Sequence, residues 1–260
     1  MGKEVDRFIE LIARLRGPDG CPWDREQTPK SILSCLLDET YEFFEAVEEN
    51  NPEKIREELG DLLLQVVLQA QMAKDAGLFD IEDVAAGINE KIVHRHPHVF
   101  GDVRVSGSGE VMKNWDAIKK TEKGKEHRQS LVDDIPEAMP ALFRAEKMQR
   151  RVARAGFDWD NIGAVLDKVE EEFREFREAL AESGREHAFE ELGDIMFALV
   201  NVARHREICA EDALRYTTRK FARRFRYIEG RLKELGRKLG ETPLAELDVL
   251  WEESKKSERR

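Results

Sequence analysis

A ladder of four carboxylates that occurs twice constrains this chain more than any other feature. In the second half, Glu172 and Glu175 lie in VEEEFREF, and Glu191 and Asp194 lie in EELGDIMF. Each pair is spaced i, i+3, so on a helix its carboxylates are neighbours, with Cβ atoms roughly 5–6 Å apart. At ~100° per residue, Val165, Val169 and Phe176 fall within about 60° of Glu172. That acid therefore sits inside an apolar stripe, with Lys168 and Glu175 at its edge. Asp194 opens IMFALVNVA, a run apolar on nearly every side and expected to be a buried helix. Acids turned inward cannot stand alone: at ~4 Å a like-charged pair costs about 4 kcal/mol at an effective dielectric of about 20. They protonate, open to water or share a cation. A solvated acidic face is the plain alternative for either pair taken singly.

The whole ladder recurs upstream. Glu39 and Glu42 in LDETYEFFEAV, and Glu58 and Asp61 in EELGDLLLQVV, each stand 133 positions before their counterparts. Trp23-Asp24 answers Trp159-Asp160, Lys91 and Arg95 answer Lys220 and Arg224, and Trp115 answers Trp251. The offset drifts slightly, as it does when only loop lengths change. This is a tandem duplication of a unit of roughly 130 residues. The organisation expected is an N-terminal repeat over 1–122, a linker over 123–135 and a C-terminal repeat over 136–260.

Apolar periodicity and breakers predict helices over about 3–16, 30–49, 53–75, 80–95 and 111–120 in the first repeat. In the second they fall over about 138–155, 162–182, 186–206 and 210–239, with a terminal piece around Trp251. Asp80 with Asp83 forms a capping-box pattern. GPDGCPWDREQT is too rich in Gly and Pro for regular structure, and GDVRVSGSGE is expected to be a flexible loop. No period-two strand pattern occurs. The fold class is all-α, two tandem helical repeats that each hold the makings of a helical bundle.

Composition narrows the partners. A net charge of −11 argues against a nucleic-acid polymer, whose phosphates are bound by basic surfaces. Cys21, Cys35 and Cys209 show no CxxC spacing, which fits a reducing cytoplasm. Lys3, Glu4, Asp6 and Arg7 interrupt any secretory signal, and the longest apolar stretches are about half of a membrane span. A soluble cytoplasmic protein with no membrane partner is the expectation.

Oxygen-only ligands select hard cations, so Mg²⁺, or alternatively Mn²⁺, is the natural occupant of the ladder. A helical di-iron site would need Glu-x-x-His on two helices, and none is in register. Mg²⁺ usually takes its remaining ligands from water and substrate phosphates, and basic residues follow each ladder. Lys220 and Arg224, like Lys91 and Arg95, are i, i+4 and share a helix face. Solvated cations are the alternative reading. Trp251 and Trp115 could stack on a base or could simply staple a domain edge. His94, His96 and His98 flank a proline turn without a Cys partner, a poor zinc pattern.

At this point the motifs match a family. CPWDREQT, ETYEFFEA, EELGDLLLQ, RHPHVFGD, GFDWD and ELGDIMF, in that order and over nearly the full chain, resemble the MazG nucleoside triphosphate pyrophosphohydrolases. The resemblance implies protomers that pair to complete four-helix bundles. It also implies Mg²⁺-dependent cleavage of NTPs or dNTPs to the monophosphate and pyrophosphate by water attack at the α-phosphorus. On the matching positions Glu172, Glu175, Glu191 and Asp194 would be catalytic metal ligands, as would Glu39, Glu42, Glu58 and Asp61 in the first repeat. Lys168, Glu190, Lys220, Arg224 and Trp251 would meet the nucleotide, with Arg223 in the same basic stretch. Glu171 and Glu190 are both candidates to take the water's proton. Asp38 stands where the motif commonly has Glu.

Two further expectations follow. Each unit has two acid-bearing helices and so presents half of a closed bundle, which points to a homodimer, with pairing of the two repeats within one chain as the alternative. The second repeat is expected to carry most of the catalysis, because Lys168, Asn201 and His205 stand where the first has Cys35, Leu68 and Met72, although Gln65 and Gln69 give the first seam polar groups that Ala198 and Val202 lack. Arg219, Lys220, Arg223 and Arg224 likewise replace Glu90, Lys91, His94 and Arg95. The competing functional readings are a related all-α hydrolase directed at dUTP or phosphoribosyl-ATP, and a helical adaptor without catalysis.

Overall fold

The computed structural model describes residues 2–120, 130–181 and 184–258. The chain forms two compact units, Met1–Lys125 and Glu126–Arg260. The first nine residues of the stretch from 121 to 135, which take in most of the expected linker, lie outside the described residues.

The first unit runs α1 (Lys3–Arg16), α2 (Pro22–Glu26), α3 (Leu33–Glu48), α4 (Pro52–Asp75), α5 (Ile81–Arg95), α6 (Pro97–Phe100) and α7 (Ser108–Lys120). The second runs α8 (Ala141–Ala153), α9 (Ile162–Ala181), α10 (Arg185–His205), α11 (Ala210–Glu234), a single 3₁₀ turn and α12 (Leu244–Ser257). No strand occurs among the described residues. In each unit the two acid-bearing helices pack side by side, α3 on α4 and α9 on α10. A preceding helix lies on the second of each pair, α1 on α4 and α8 on α10.

Local chemistry explains where these helices turn. The α3–α4 corner uses Asn50 in the left-handed region (φ 51°), a conformation asparagine tolerates. Asn51 then caps α4, its side chain accepting from the Glu53 and Lys54 amides at 3.1 and 3.3 Å, and Pro52 occupies the first turn. Asp80 and Asp83 close a reciprocal capping box on α5.

Some boundaries depart from the sequence expectation. GPDGCPWDREQT is not wholly irregular, because Pro22 fixes the first φ of α2. HPHVF winds into α6 by the same device. The loop after Gly101 is shorter than expected, since Ser108 already begins α7. α11 stops at Glu234, five residues early, where Gly236 takes φ 66°.

The larger correction concerns α10. Its run IMFALVNVA is not buried all round. Ile195, Ala198, Val200 and Asn201 are buried, but Leu192, Met196, Phe197 and Leu199 are 40–51% exposed. The helix is apolar on two faces, and α8 and α9 cover only one. α4 repeats this in the same register, with Val67, Leu68 and Met72 buried while Leu59, Leu63 and Val66 are exposed.

Candidate active site

In the second unit α9 and α10 bring the acids together. One carboxylate oxygen each from Glu172, Glu175 and Glu191 lies within 4.8 Å of the others. Glu172 is only 6% exposed, in keeping with its position in the apolar stripe. Lys168 Nζ, one turn earlier, stands 2.7 Å from both Glu171 Oε1 and Glu172 Oε1. That ammonium holds the Glu171 carboxyl below the usual range, and its own proton is bound more tightly in return, chiefly through Glu171. Glu175 moves the other way: desolvation, then the neighbouring Glu172, push its carboxyl up. Asp194 is exposed and stands outside the triplet of oxygens, but it lines a cavity together with Glu172 and Lys168. Glu190 lies on the exposed face of α10.

The first unit assembles a similar triplet from a different subset. Glu39, Glu58 and Asp61 place one oxygen each within 4.8 Å, while Glu42 is exposed and outside it. No cation stands at the position of Lys168, because Cys35 is there. Burial, then Asp61, raises the Glu39 carboxyl, and burial, then Glu42, raises that of Glu58.

Two orphaned oxygens test whether a metal suits these clusters. Glu58 Oε2 and Glu191 Oε2 are both buried without a hydrogen-bond partner. A buried carboxylate oxygen left without a donor is costly unless something positive completes it. Mg²⁺ binds oxygen at ~2.0–2.1 Å, so its ligand oxygens stand within roughly 4 Å of one another. The all-oxygen donor set and the unmet buried oxygens suit a hard divalent cation. No histidine joins a group of this kind among the described residues, so His94, His96 and His98 form no zinc cluster there. Instead His96 packs edge-on to Trp115 at 4.9 Å.

The basic residues gather elsewhere in the second unit, on α11 and α12. Arg224 donates to Glu258 Oε2 at 2.9 and 2.7 Å, and Arg223 lies 3.5 Å from Glu258 Oε1. These cations, Arg224 foremost, hold the Glu258 carboxyl below its ordinary value. Arg224 also lies over the Trp251 ring at 5.5 Å, and Lys220 lies over Tyr216 at 5.5 Å. Trp251 packs against Phe221 and the Ile228–Leu232–Leu250 core. Arg95 over Trp115 at 5.3 Å repeats the arrangement in the first unit. Both tryptophans therefore staple their helices, and none of Lys220, Arg223, Arg224 and Trp251 lines the cavity beside the acids.

That cavity, of about 380 Å³, lies against α8, α9 and α10 and is walled partly by Phe157, Trp159, Val165 and Phe197. Sequence reasoning missed it, along with three residues that shape the site. His187 Nε2 sits 3.2 Å from Glu191 Oε1, a contact readable as an i, i+4 pair. Gln149 is buried on α8, and nothing in its sequence context marks it. Asp158 accepts from Arg204 and His205, and that pairing holds its carboxyl down, Arg204 being the larger cause. His205 is thus engaged by Asp158 rather than turned to a ligand, and it does not line the cavity.

Comparison with known proteins places the chain among relatives. The model of the MazG nucleotide pyrophosphohydrolase domain matches residues 27–100 and again 162–228. The nucleoside triphosphate pyrophosphohydrolase of Escherichia coli K12 is 43% identical over 260 residues, covering 98% of each chain. The nucleoside triphosphate pyrophosphohydrolase/pyrophosphatase MazG of Thermotoga maritima is 42% identical over 250 residues, with 96% of this chain and 95% of that one covered. The crystal structure of a mazG-related protein from Thermotoga maritima aligns at 35% identity and a TM-score of 0.39, covering 44% of this chain and 98% of that one.

Proposed function

Because the chain belongs to the MazG nucleotide pyrophosphohydrolase family, we propose that it hydrolyses nucleoside triphosphates, NTPs or dNTPs, to the monophosphate and pyrophosphate in a Mg²⁺-dependent reaction. The observation that carries this reading is the triplet of carboxylate oxygens from Glu172, Glu175 and Glu191, with Glu191 Oε2 buried and unmet. Glu172, Glu175, Glu191 and Asp194 hold the metal, and Mn²⁺ can substitute. Glu39, Glu42, Glu58 and Asp61 are the corresponding ligands of the first repeat. Held by these residues, a cation would supply charge neutralisation on the phosphates and would lower the pKa of a water for in-line attack.

The chain's own residues do the rest. Lys168 orients Glu172 and offers a charge to the phosphates. Lys220, Arg223, Arg224 and Trp251 border the nucleotide, and the cations among them neutralise charge on departing pyrophosphate. Of the two candidates for taking the water's proton, Glu171 is the weaker base because Lys168 holds its carboxyl down. Glu190 has no such cation at hydrogen-bonding distance among the described residues, which favours it.

The functional unit is a homodimer. Leu59, Leu63 and Val66 on α4, and Leu192, Met196 and Leu199 on α10, are exposed at positions 133 residues apart. Matched apolar stripes beside both acid clusters are what a closed bundle of four such helices would bury. Among the described residues no helix is long and apolar enough to cross a membrane, so these stripes are not spans.

Pyrophosphate release from the eight common NTPs and dNTPs, and from dUTP and phosphoribosyl-ATP, with Mg²⁺ and with chelator, tests the reading. Mg²⁺-dependent pyrophosphate and monophosphate production supports it. Turnover restricted to dUTP or to phosphoribosyl-ATP would favour the narrower hydrolases, and none on any substrate would favour a helical adaptor. A monomeric mass at micromolar concentration with full activity would count against the dimer.

A further inference from the structure

Two arginines of α11 converge on one carboxylate at the end of α12. Arg224 gives both Nε and Nη2 to Glu258 Oε2, at 2.9 and 2.7 Å, and Arg223 Nε stands 3.5 Å from Oε1. The two oxygens are thus divided between two guanidiniums, as phosphate oxygens are between paired arginines. Helix electrostatics alone do not favour an acid there. Glu258 is the C-cap of α12, where the helix end repels a carboxylate and suits the cations Lys255 and Lys256 of the last turn. Lys255 pairs locally, with Glu252 three residues back, whereas Glu258 reaches across to α11, 34 positions away in sequence. Register explains how it gets there. Glu258 lies seven positions after Trp251, two turns along the same face, and Arg224 serves both, its guanidinium over the Trp251 ring at 5.5 Å. Trp251 is packed on Phe221 and the core beneath, so Arg224 is held in place. The Arg224 and Glu258 side chains are 17% and 29% exposed and that of Arg223 is 51% exposed, so the cluster opens to solvent on its Arg223 side.

Resting on the nucleotide reading above, in which Arg223 and Arg224 border the substrate, we propose that Glu258 is a built-in competitor for its phosphates and sets how tightly the polyanion is held. In the free protein the carboxylate occupies the place of a phosphate and keeps both arginines in the geometry an oxyanion needs. It carries a single negative charge, against several on a triphosphate. The polyphosphate therefore takes the arginines, and singly charged anions do not. An ion pair this open to water is weak enough to yield. Once pyrophosphate departs, Glu258 returns to Arg224 and opposes its rebinding.

Inorganic tripolyphosphate carries the polyanion without base or sugar, and chelator removes metal, so binding is read apart from catalysis. It is titrated calorimetrically, at low salt, into the full-length protein and into Glu258→Gln, Arg224→Gln, the double variant and Glu246→Gln, with circular dichroism to confirm the helices. Glu246→Gln makes the same charge change at the other end of α12, where Glu246 pairs with Arg237. Glu258→Gln should bind about fivefold more tightly than the parent, near the upper worth of an exposed ion pair. That gain should be absent from Glu246→Gln and should vanish when Glu258→Gln is placed on Arg224→Gln. No binding, an unchanged affinity in Glu258→Gln, an equal gain from Glu246→Gln, or a gain that survives without Arg224 would each overturn the proposal. Hydrolysis of triphosphates without these binding changes would overturn this inference alone and leave the pyrophosphohydrolase reading in place. The binding changes without hydrolysis of any triphosphate would strike that reading and leave Glu258 as the competitor for an anion on the two arginines.

Discussion

The two repeats share one ladder of acids and differ in what surrounds it. In the first, Leu68 and Met72 close a core with Ile12, Ile32 and Val67. In the second, the corresponding Asn201 and His205 do not fill that space. Asn201 lines a cavity, and His205 turns to Asp158. Beside Glu39 stands Cys35, whereas beside Glu172 stands Lys168 at 2.7 Å. Leu68 and Met72 thus belong to a packed core in the first copy, whereas in the second Glu172 and Asp194 border a cavity and Glu172 has a lysine at hydrogen-bonding distance. Close-packed side chains leave no space for a ligand to share, and that contrast is the ground for proposing that the second repeat carries the reaction.

The largest expected effect breaks the metal assignment if it fails to occur. Glu191→Gln and Asp194→Asn should each lower turnover by about 10³-fold, the scale of removing a group that stabilises transition-state charge. Circular dichroism should show the helices intact, since neither change empties a core. Full activity in both variants would sink the role of the ladder.

Next in size is the stability contrast at aligned positions. Leu68→Ala should destabilise its unit by about 2–5 kcal/mol, transfer plus cavity cost in a packed core. Asn201→Ala should cost only about 1 kcal/mol, because it removes one hydrogen bond from the edge of a cleft that is already open. Chemical denaturation of each variant measures the pair, and equal losses would mean the two cores are packed alike.

The smallest effect is a pH dependence. The raised carboxyls of Glu39 and Glu175 contribute stability that is present below pH 4.5 and is lost as pH climbs through their folded values. Glutamine removes that loss, so in chelator the advantage of Glu39→Gln and of Glu175→Gln should grow as pH rises from 4.5. The gain should be larger for Glu39, because Cys35 stands where the second repeat has Lys168. Thermal midpoints across pH 4–8 read this directly, and a gain that shrinks with pH would contradict it.

Much of this was legible in the sequence, for reasons that differ by element. Helix type and the burial of Glu172 follow from periodicity, because seven neighbouring positions decide which side of a helix is apolar. The capping box at Asp80 is a local pattern and formed as read. The exposed face of α10 was not legible: an all-round apolar run says that both sides want cover, not that the unit supplies only one. The cavity was hidden for a related reason. Gln149 on α8 and Asn201 on α10, 52 positions apart in sequence, line one cavity, and only the Phe197 carbonyl and Arg204 fix how each amide is turned. Proline gave α2 and α6 their first turn in stretches that composition marks as loop.

The claim that the second repeat houses the reaction rests on one direct comparison. Glu42→Gln and Glu175→Gln, each alone in the full-length protein, are assayed for pyrophosphate release under saturating Mg²⁺ and nucleotide. A loss of about 10²-fold or more from Glu175→Gln, with Glu42→Gln within about threefold of the parent, is the predicted result. Equal losses, or a larger loss from Glu42→Gln, would contradict it.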